Sequence, residues 1–344
     1  MTLADESNQP GQPVLAPAPP IGFAPLTPRQ AVRHTVLLFA ACVITMQIIG
    51  GLIGAMILLL SPTEWTTLQQ QTQNGGIDVQ SVTSIDFAGP AIVIGSIIGE
   101  ALGICCFFAL RGKKLVTTDI TTTVPVGRRW GQLGLAVLLV FTVQLVVSGV
   151  AGLVALTGYD PSKVQSNMLD PIMGTPWGIL AVVLLLPFFE ELIFRGAILR
   201  HLAPFGVNFA IVTQAVLFGL WHLNLYQGLF AVPMGLILGY VAYHFSLKWS
   251  FALHALNNGF AVASSAAGMP GWAPWAVMVL ATLAAVVVLI IHRQQIKPTL
   301  SAGSPLPPPG SQTPGHLFKV AWASPAFIVV TAIMFVICVL MTLP

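Results

Sequence analysis

The stretch Gly178-Ile-Leu-Ala-Val-Val-Leu-Leu-Leu-Pro-Phe-Phe-Glu190-Glu191-Leu-Ile-Phe-Arg195 decides how the chain is read, because two adjacent acids and an arginine close a run of membrane-grade apolar residues. An ionised carboxylate in hydrocarbon is costly, so a chain that keeps two there is expected to use them. Glu191 and Arg195 are four residues apart and share a helix face, where they can neutralise each other. Glu190 is rotated by about 100° from Glu191 and lies off that face. One carboxylate is therefore expected to be structural and the other free to act.

The rest of the chain has the same character. Of 344 residues, 56% are hydrophobic and 7% are charged, and the mean hydropathy is +0.85. Soluble domains carry about 25% charged residues, so this is an integral membrane protein by composition. A net charge of +3 with no basic run gives no reason to expect a nucleic-acid partner. Cys42, Cys105, Cys106 and Cys338 all lie in apolar stretches without a CxxC pair, and read as small buried hydrophobes rather than a disulfide frame or a zinc site.

Candidate spans of about 20 residues run near 35–60, 88–110, 130–156, 177–199, 208–223, 229–245, 250–268, 272–291 and 323–343. The first is too long for a signal-peptide core of about 7–15 residues and is expected to stay as an anchor. No ten-residue alternation suggests a barrel, so the expected fold is all-α, a polytopic transmembrane helix bundle of eight to nine spans. Basic residues mark every second loop: Arg29 and Arg33, then Arg111 to Arg129, Arg200, Lys248, and Arg293 to Lys319. Lys163, offset by Asp160 and Asp170, is the exception. By the positive-inside rule the N-terminus is expected in the cytoplasm. The proline-rich tails and the lack of organelle signals fit a bacterial inner membrane.

Five regions follow from these patterns. Residues 1–28 form a proline-rich tail expected to be disordered, and 29–160 a three-span region. Residues 161–293 hold the polar core. Residues 294–322 are a proline-rich cytoplasmic linker, and 323–344 a last transmembrane helix.

Three polar clusters fall within the fourth to seventh spans. The first is Glu190-Glu191-x-x-x-Arg195. The second, Phe218-x-x-x-His222, puts a ring and an imidazole on one face, and the third, His254-x-x-x-Asn258, stacks an imidazole on an amide. Counting from the basic ends at 1.5 Å per residue puts Glu190 about 15 Å deep, His222 about 21 Å and His254 about 9 Å. That spread of about 12 Å must be closed by helix tilts of about 20° and by side-chain reach. Pro233 and Gly235 mark a place where the sixth helix can break. Each cluster has a plainer reading: a buried structural ion pair for Glu191 and Arg195, and helix-to-helix hydrogen bonding for a lone histidine. Glu100, Gln47, Gln144 and Gln214 are read in that plainer way, as links between helices.

Taken together and in order, the three clusters resemble the CAAX prenyl protease and bacteriocin-processing family of intramembrane endopeptidases. Phe194-Arg195-Gly196-Ala197 and His254-Ala-Leu-Asn257-Asn258 fit it as well, and the resemblance covers about residues 177–268. The last linker and span look like additions to the family's core. The resemblance implies a membrane-associated peptide or protein substrate, of which prenylated CAAX proteins are the family's eukaryotic theme. It implies that Glu190 is a general base activating water, with His222 bonded to it or to the water. His254 and Asn258 would line the site, and Asn258 would stabilise the oxyanion. Glu191, Arg195 and Phe218 would be structural support. Metal stays open: Glu190, His222 and His254 match the three ligands of a catalytic zinc, yet no HExxH pair fixes two ligands on one face, and no cofactor is the favoured reading. A proton-coupled transporter and a non-catalytic scaffold or immunity-type protein are the rival functions. The first would call for repeated halves, and none are seen.

Overall fold

The computed structural model describes residues 26–59, 66, 88–112, 117, 129–161, 175–265, 269–302 and 314–342. The proline-rich tail, and parts of the loops and linker discussed above, lie outside them. Among the described residues the structure is a helical bundle: α1 (Pro28–Leu59), α2 (Ala88–Arg111), α3 (Trp130–Ala155) and α4 (Pro176–Phe205), then α5 (Val207–Trp221), α6 (Leu225–His244), α7 (Leu247–Ser265) and α8 (Trp272–Ala302), and finally α9 (Pro314–Trp322) and α10 (Pro325–Leu340).

Five of these helices are long and apolar enough to cross a membrane, and a sixth span results if α9 and α10, bent by 80°, are taken as one. Two shorter apolar helices, Ile94–Phe108 within α2 and Val207–Trp221, fall below that length. The expectation of an all-α membrane bundle is met, while length and composition among the described residues support five to six of the eight to nine expected spans. Large apolar side chains remain exposed along α8, including Leu280 at 66% and Ile291 at 68%, as a lipid-facing surface requires.

Helices in lipid gain nothing from burying leucine against leucine, so close packing depends on small residues. In α2, Gly99 and Gly103 are four apart and face α1: a Cβ on Gly99 would stand 2.8 Å from the Met46 carbonyl oxygen, and one on Gly103 would stand 2.6 Å from the Cys42 sulfur. α5 and α6 meet in the same way, where a Cβ on Gly235 would stand 2.9 Å from the Ala215 Cα. Gln214 on α5 adds a bond to the Gly235 carbonyl oxygen at 2.7 Å, the link between helices that its sequence setting suggested. α6 runs unbroken through Pro233.

α4 is irregular where the site lies. Its backbone widens into π-helical turns over Ala181–Leu185 and again over Leu192–Leu199. Pro187 has no N–H to give the preceding turn and crowds the carbonyl four residues back, so a wider turn just before it relieves both problems. An aromatic cluster packs behind α4: Phe194 lies 5.0 Å from Phe218, 5.5 Å from Trp221 and 6.3 Å from Phe39, ring to ring.

Candidate active site

The two glutamates occupy different surroundings, as their offset on the helix predicts. Glu191 is 1% exposed. Its Oε1 accepts from Arg195 Nη1 at 2.9 Å and lies 3.0 Å from His254 Nδ1, while its Oε2 accepts from the Ser250 hydroxyl at 2.6 Å. The Arg195 guanidinium, fully buried, lies 4.2 Å from the centre of the Phe218 ring. A delocalised cation over an aromatic face is a favourable way to bury an arginine whose remaining N–H groups lack acceptors. Together these residues form a closed polar layer.

Glu190 stands beside that layer, on the wall of a cavity of about 630 Å³ that is also lined by His222, His254, Asn258 and Phe218. All four candidate catalytic residues thus meet one space, and the depth mismatch expected from counting along the helices is absorbed. Part of the reason is that α5 ends at Trp221, leaving His222 at its C-cap, where the chain turns through Leu223 at φ 50° into the start of α6.

His254 joins the two acids. Its Nδ1 is held by Glu191, which turns Nε2 to within 3.5 Å of Glu190 Oε2. That gap is long for a hydrogen bond and short for an electrostatic contact, a common state for catalytic pairs before substrate binds. His222 Nδ1 contacts the Phe218 carbonyl oxygen at 2.9 Å, a bond one turn back along its own helix. The Phe218 ring is the wedge between the imidazoles, 5.0 Å from His222 and 5.7 Å from His254.

Asn258 sits in a chain of amides. Gln144 on α3 donates to Asn257 Oδ1 at 2.7 Å, Asn257 donates to Asn258 Oδ1 at 3.0 Å, and Asn258 donates to the Val182 carbonyl oxygen at 2.9 Å. Val182 belongs to the first π-turn of α4, where widening redirects carbonyl groups out of the helical ladder. Three helices thereby fix one amide plane. Gln144 was read as a link between helices and is one, but its place on the cavity wall has no sequence signature. Asn257 stands in the third motif without a role assigned from the sequence, and Ser250 carries no sequence expectation at all. Ser250 is four residues before His254, so the same-face spacing that exposed the other motifs was available for it. Glu100, by contrast, is 4% exposed and its Oε2 makes no hydrogen bond to another helix.

Among the described residues no three His, Cys, Asp or Glu side chains are grouped to hold a metal ion, and His254 already faces a carboxylate with each ring nitrogen.

Compared with known proteins, residues 172–260 match the family model described as type II CAAX prenyl endopeptidase, Rce1-like. Every residue of the three motifs falls inside that segment, so the resemblance read from them is borne out there. No curated protein and no solved structure matches the chain.

Proposed function

We propose that the chain is an intramembrane endopeptidase that hydrolyses peptide bonds of membrane-associated proteins or peptides, with Glu190 as the base that activates water. The observation that carries this reading is the difference between the paired glutamates. Glu191 is used up in a closed layer with Arg195, Ser250 and His254, whereas Glu190 lines the cavity, with His254 Nε2 3.5 Å away and His222 on the same wall.

In this reading a water between Glu190 and His222 gives its proton to the Glu190 carboxylate as its oxygen attacks the scissile carbonyl. The new oxyanion is met by the Asn258 amide, pre-set by Asn257 and Gln144. Collapse of the tetrahedral intermediate breaks the C–N bond, and the proton held by Glu190 passes to the leaving amine. Rigid donors in a site poor in water need no reorganisation as charge develops, which is what makes such an amide effective. Each step uses protein groups alone.

The test is turnover of a quenched peptide library by the detergent-solubilised protein. Glu190→Gln should lower turnover by about 10²–10⁴-fold, the usual worth of a positioned base, and Asn258→Ala by about 10²–10³-fold. A chelator should leave the wild type unchanged. Full activity of Glu190→Gln would remove it as the base, and loss on chelation restored by zinc would overturn the metal-free mechanism.

A further inference from the structure

We propose that the cavity opens on the extracytoplasmic side of the membrane, so that its substrate is a peptide segment presented from that face. The substrate half of this inference rests on the endopeptidase reading above; the orientation half does not.

Two ends of the bundle can be told apart by contacts. At one end, Arg129 at the start of α3 donates to the His244 carbonyl oxygen at the end of α6, and Arg200 in α4 donates to the Ala242 carbonyl oxygen. The Trp130 and Trp249 rings, 5.6 Å apart, bring the starts of α3 and α7 together there. Arg29 at the start of α1 reaches the Ala323 carbonyl oxygen at the bend between α9 and α10. His201 near the end of α4 lies within electrostatic reach of Arg111 and His34. At the other end, Thr342 beyond α10 meets both Tyr159 after α3 and the first backbone N–H of α6, at Leu225.

Lysine and arginine sort between these ends. Arg195 is buried in the site, and Lys163 follows α3 in the sequence. All the other Lys and Arg residues belong to the first end or to the segments that adjoin it. The segments adjoining the second end carry only Lys163, against Glu64, Asp78, Asp86, Asp160 and Asp170. Basic residues are retained on the cytoplasmic side, which makes the first end cytoplasmic. Trp177 and Trp272, 77% and 71% exposed, begin α4 and α8 at the second end, as tryptophans do at a membrane–water boundary.

The cavity leads away from the basic end along every helix that lines it. On α7 its wall runs from His254 through Asn258 to Ser265, away from Lys248; on α3 it lies at Gln144 and Ser148, away from Arg129. On the antiparallel partners the direction in sequence reverses, from Met234 to Tyr226 on α6 and from Met278 to Gly271 on α8. Ser265, Gly271 and Trp275 are exposed at the far end. Toward the cytoplasm Glu191, Arg195, Ser250 and Leu238, each at most 1% exposed, pack beneath the cavity, and only a small cleft of about 60 Å³ beside Lys248 reaches Glu191 from the other side among the described residues. His254 is about 9 Å along α7 from Lys248 and about 17 Å from Ser265, and among the described residues the cavity follows the longer route. A C-terminus modified in the cytoplasm would therefore meet this buried layer, where the cleft is about a tenth of the cavity's volume. A translocated segment of a membrane-anchored protein would meet the mouth.

Cysteine labelling tests the orientation without any need for activity. In full-length protein whose four cysteines are replaced by alanine, Ser265→Cys is expected to react with a membrane-impermeant maleimide in intact bacterial cells. Lys248→Cys should react only after permeabilisation. The reverse pattern overturns the proposal. In parallel, one peptide from the quenched library is tethered through a membrane anchor on either face, in cells expressing the unaltered chain. Cleavage of the extracytoplasmic version alone supports the proposal, and cleavage of the cytoplasmic version alone overturns it. If Ser265→Cys labels from outside and neither tether is cut, the orientation stands and the endopeptidase reading fails instead.

Discussion

At the scale of single residues, Glu190 and Glu191 are chemically identical neighbours given different tasks by the 100° or so between successive helical positions. Replacing Glu191 with glutamine would leave the Arg195 cation, 0% exposed, facing a neutral amide. Removing one partner of a buried ion pair costs about 3–5 kcal/mol. Glu191→Gln should therefore lower the thermal unfolding midpoint in detergent, while Glu190→Gln keeps the wild-type midpoint and loses turnover. Melting curves of the two variants side by side decide the matter, and an unshifted Glu191→Gln would show that the closed layer contributes no stability. Ser250→Ala should move the midpoint in the same direction by less, since a hydrogen bond to a charged group is worth about 1.5–3 kcal/mol. The Glu191–Arg195 pairing was legible in the sequence because it is a local spacing. The His254 bridge to both acids was not, because which imidazole reaches which carboxylate depends on how α4 and α7 are rotated against each other.

Among the elements, the helices themselves were legible from apolar length, and their ends less so. α8 continues to Ala302, into the stretch that proline content assigned to a linker, and Pro233 sits inside an intact α6. The count along α5 places His222 relative to the start of that helix, but not relative to Glu190 and His254, because that depends on how α4, α5 and α7 are set against one another. Glycine contacts explain more, and they are tertiary. A methyl group at Gly235 would meet the Ala215 backbone at 2.9 Å and Phe218 Cδ1 at 3.3 Å, so it must push α5, with Phe218 and His222, away from α6. Gly134 on α3 has no neighbour within 4 Å of the same added carbon. Gly235→Ala is expected to cost about 1–3 kcal/mol as an overpacked interface and to reduce turnover with it. Gly134→Ala should be neutral or stabilise by about 0.5–1 kcal/mol through helix propensity. Equal melting behaviour of the two variants would mean that the α5–α6 contact is soft.

For the molecule as a whole, the question is why a segment outside the family-matched core should matter to the site. The hydroxyl oxygen of Thr342, just past α10, accepts the Leu225 N–H at 2.8 Å, and its own proton goes to the Cys338 carbonyl oxygen at 2.6 Å. Leu225 opens α6, where the first backbone N–H groups have no partner within the helix. Asn224 caps the Gln227 N–H at 3.0 Å, and Thr342 caps Leu225 from the far end of the chain. Between this cap and His222 lies Leu223 in the left-handed region, a conformation that costs a non-glycine residue about 1–3 kcal/mol and persists only when both sides hold it. The C-terminal segment is thus tied to the turn that aims His222. Thr342→Val keeps the shape and removes the acceptor; a loss of about 1–2 kcal/mol at this turn corresponds to about a 5- to 30-fold change in the ratio of aligned to misaligned states. The expected result is a fall in kcat of up to that size with KM unchanged, restored by Thr342→Ser. A Thr342→Val variant with wild-type kcat would reduce the last helix to packing alone, whereas a matched fall in Thr342→Ser would trace the effect to the lost methyl group rather than to the hydrogen bond.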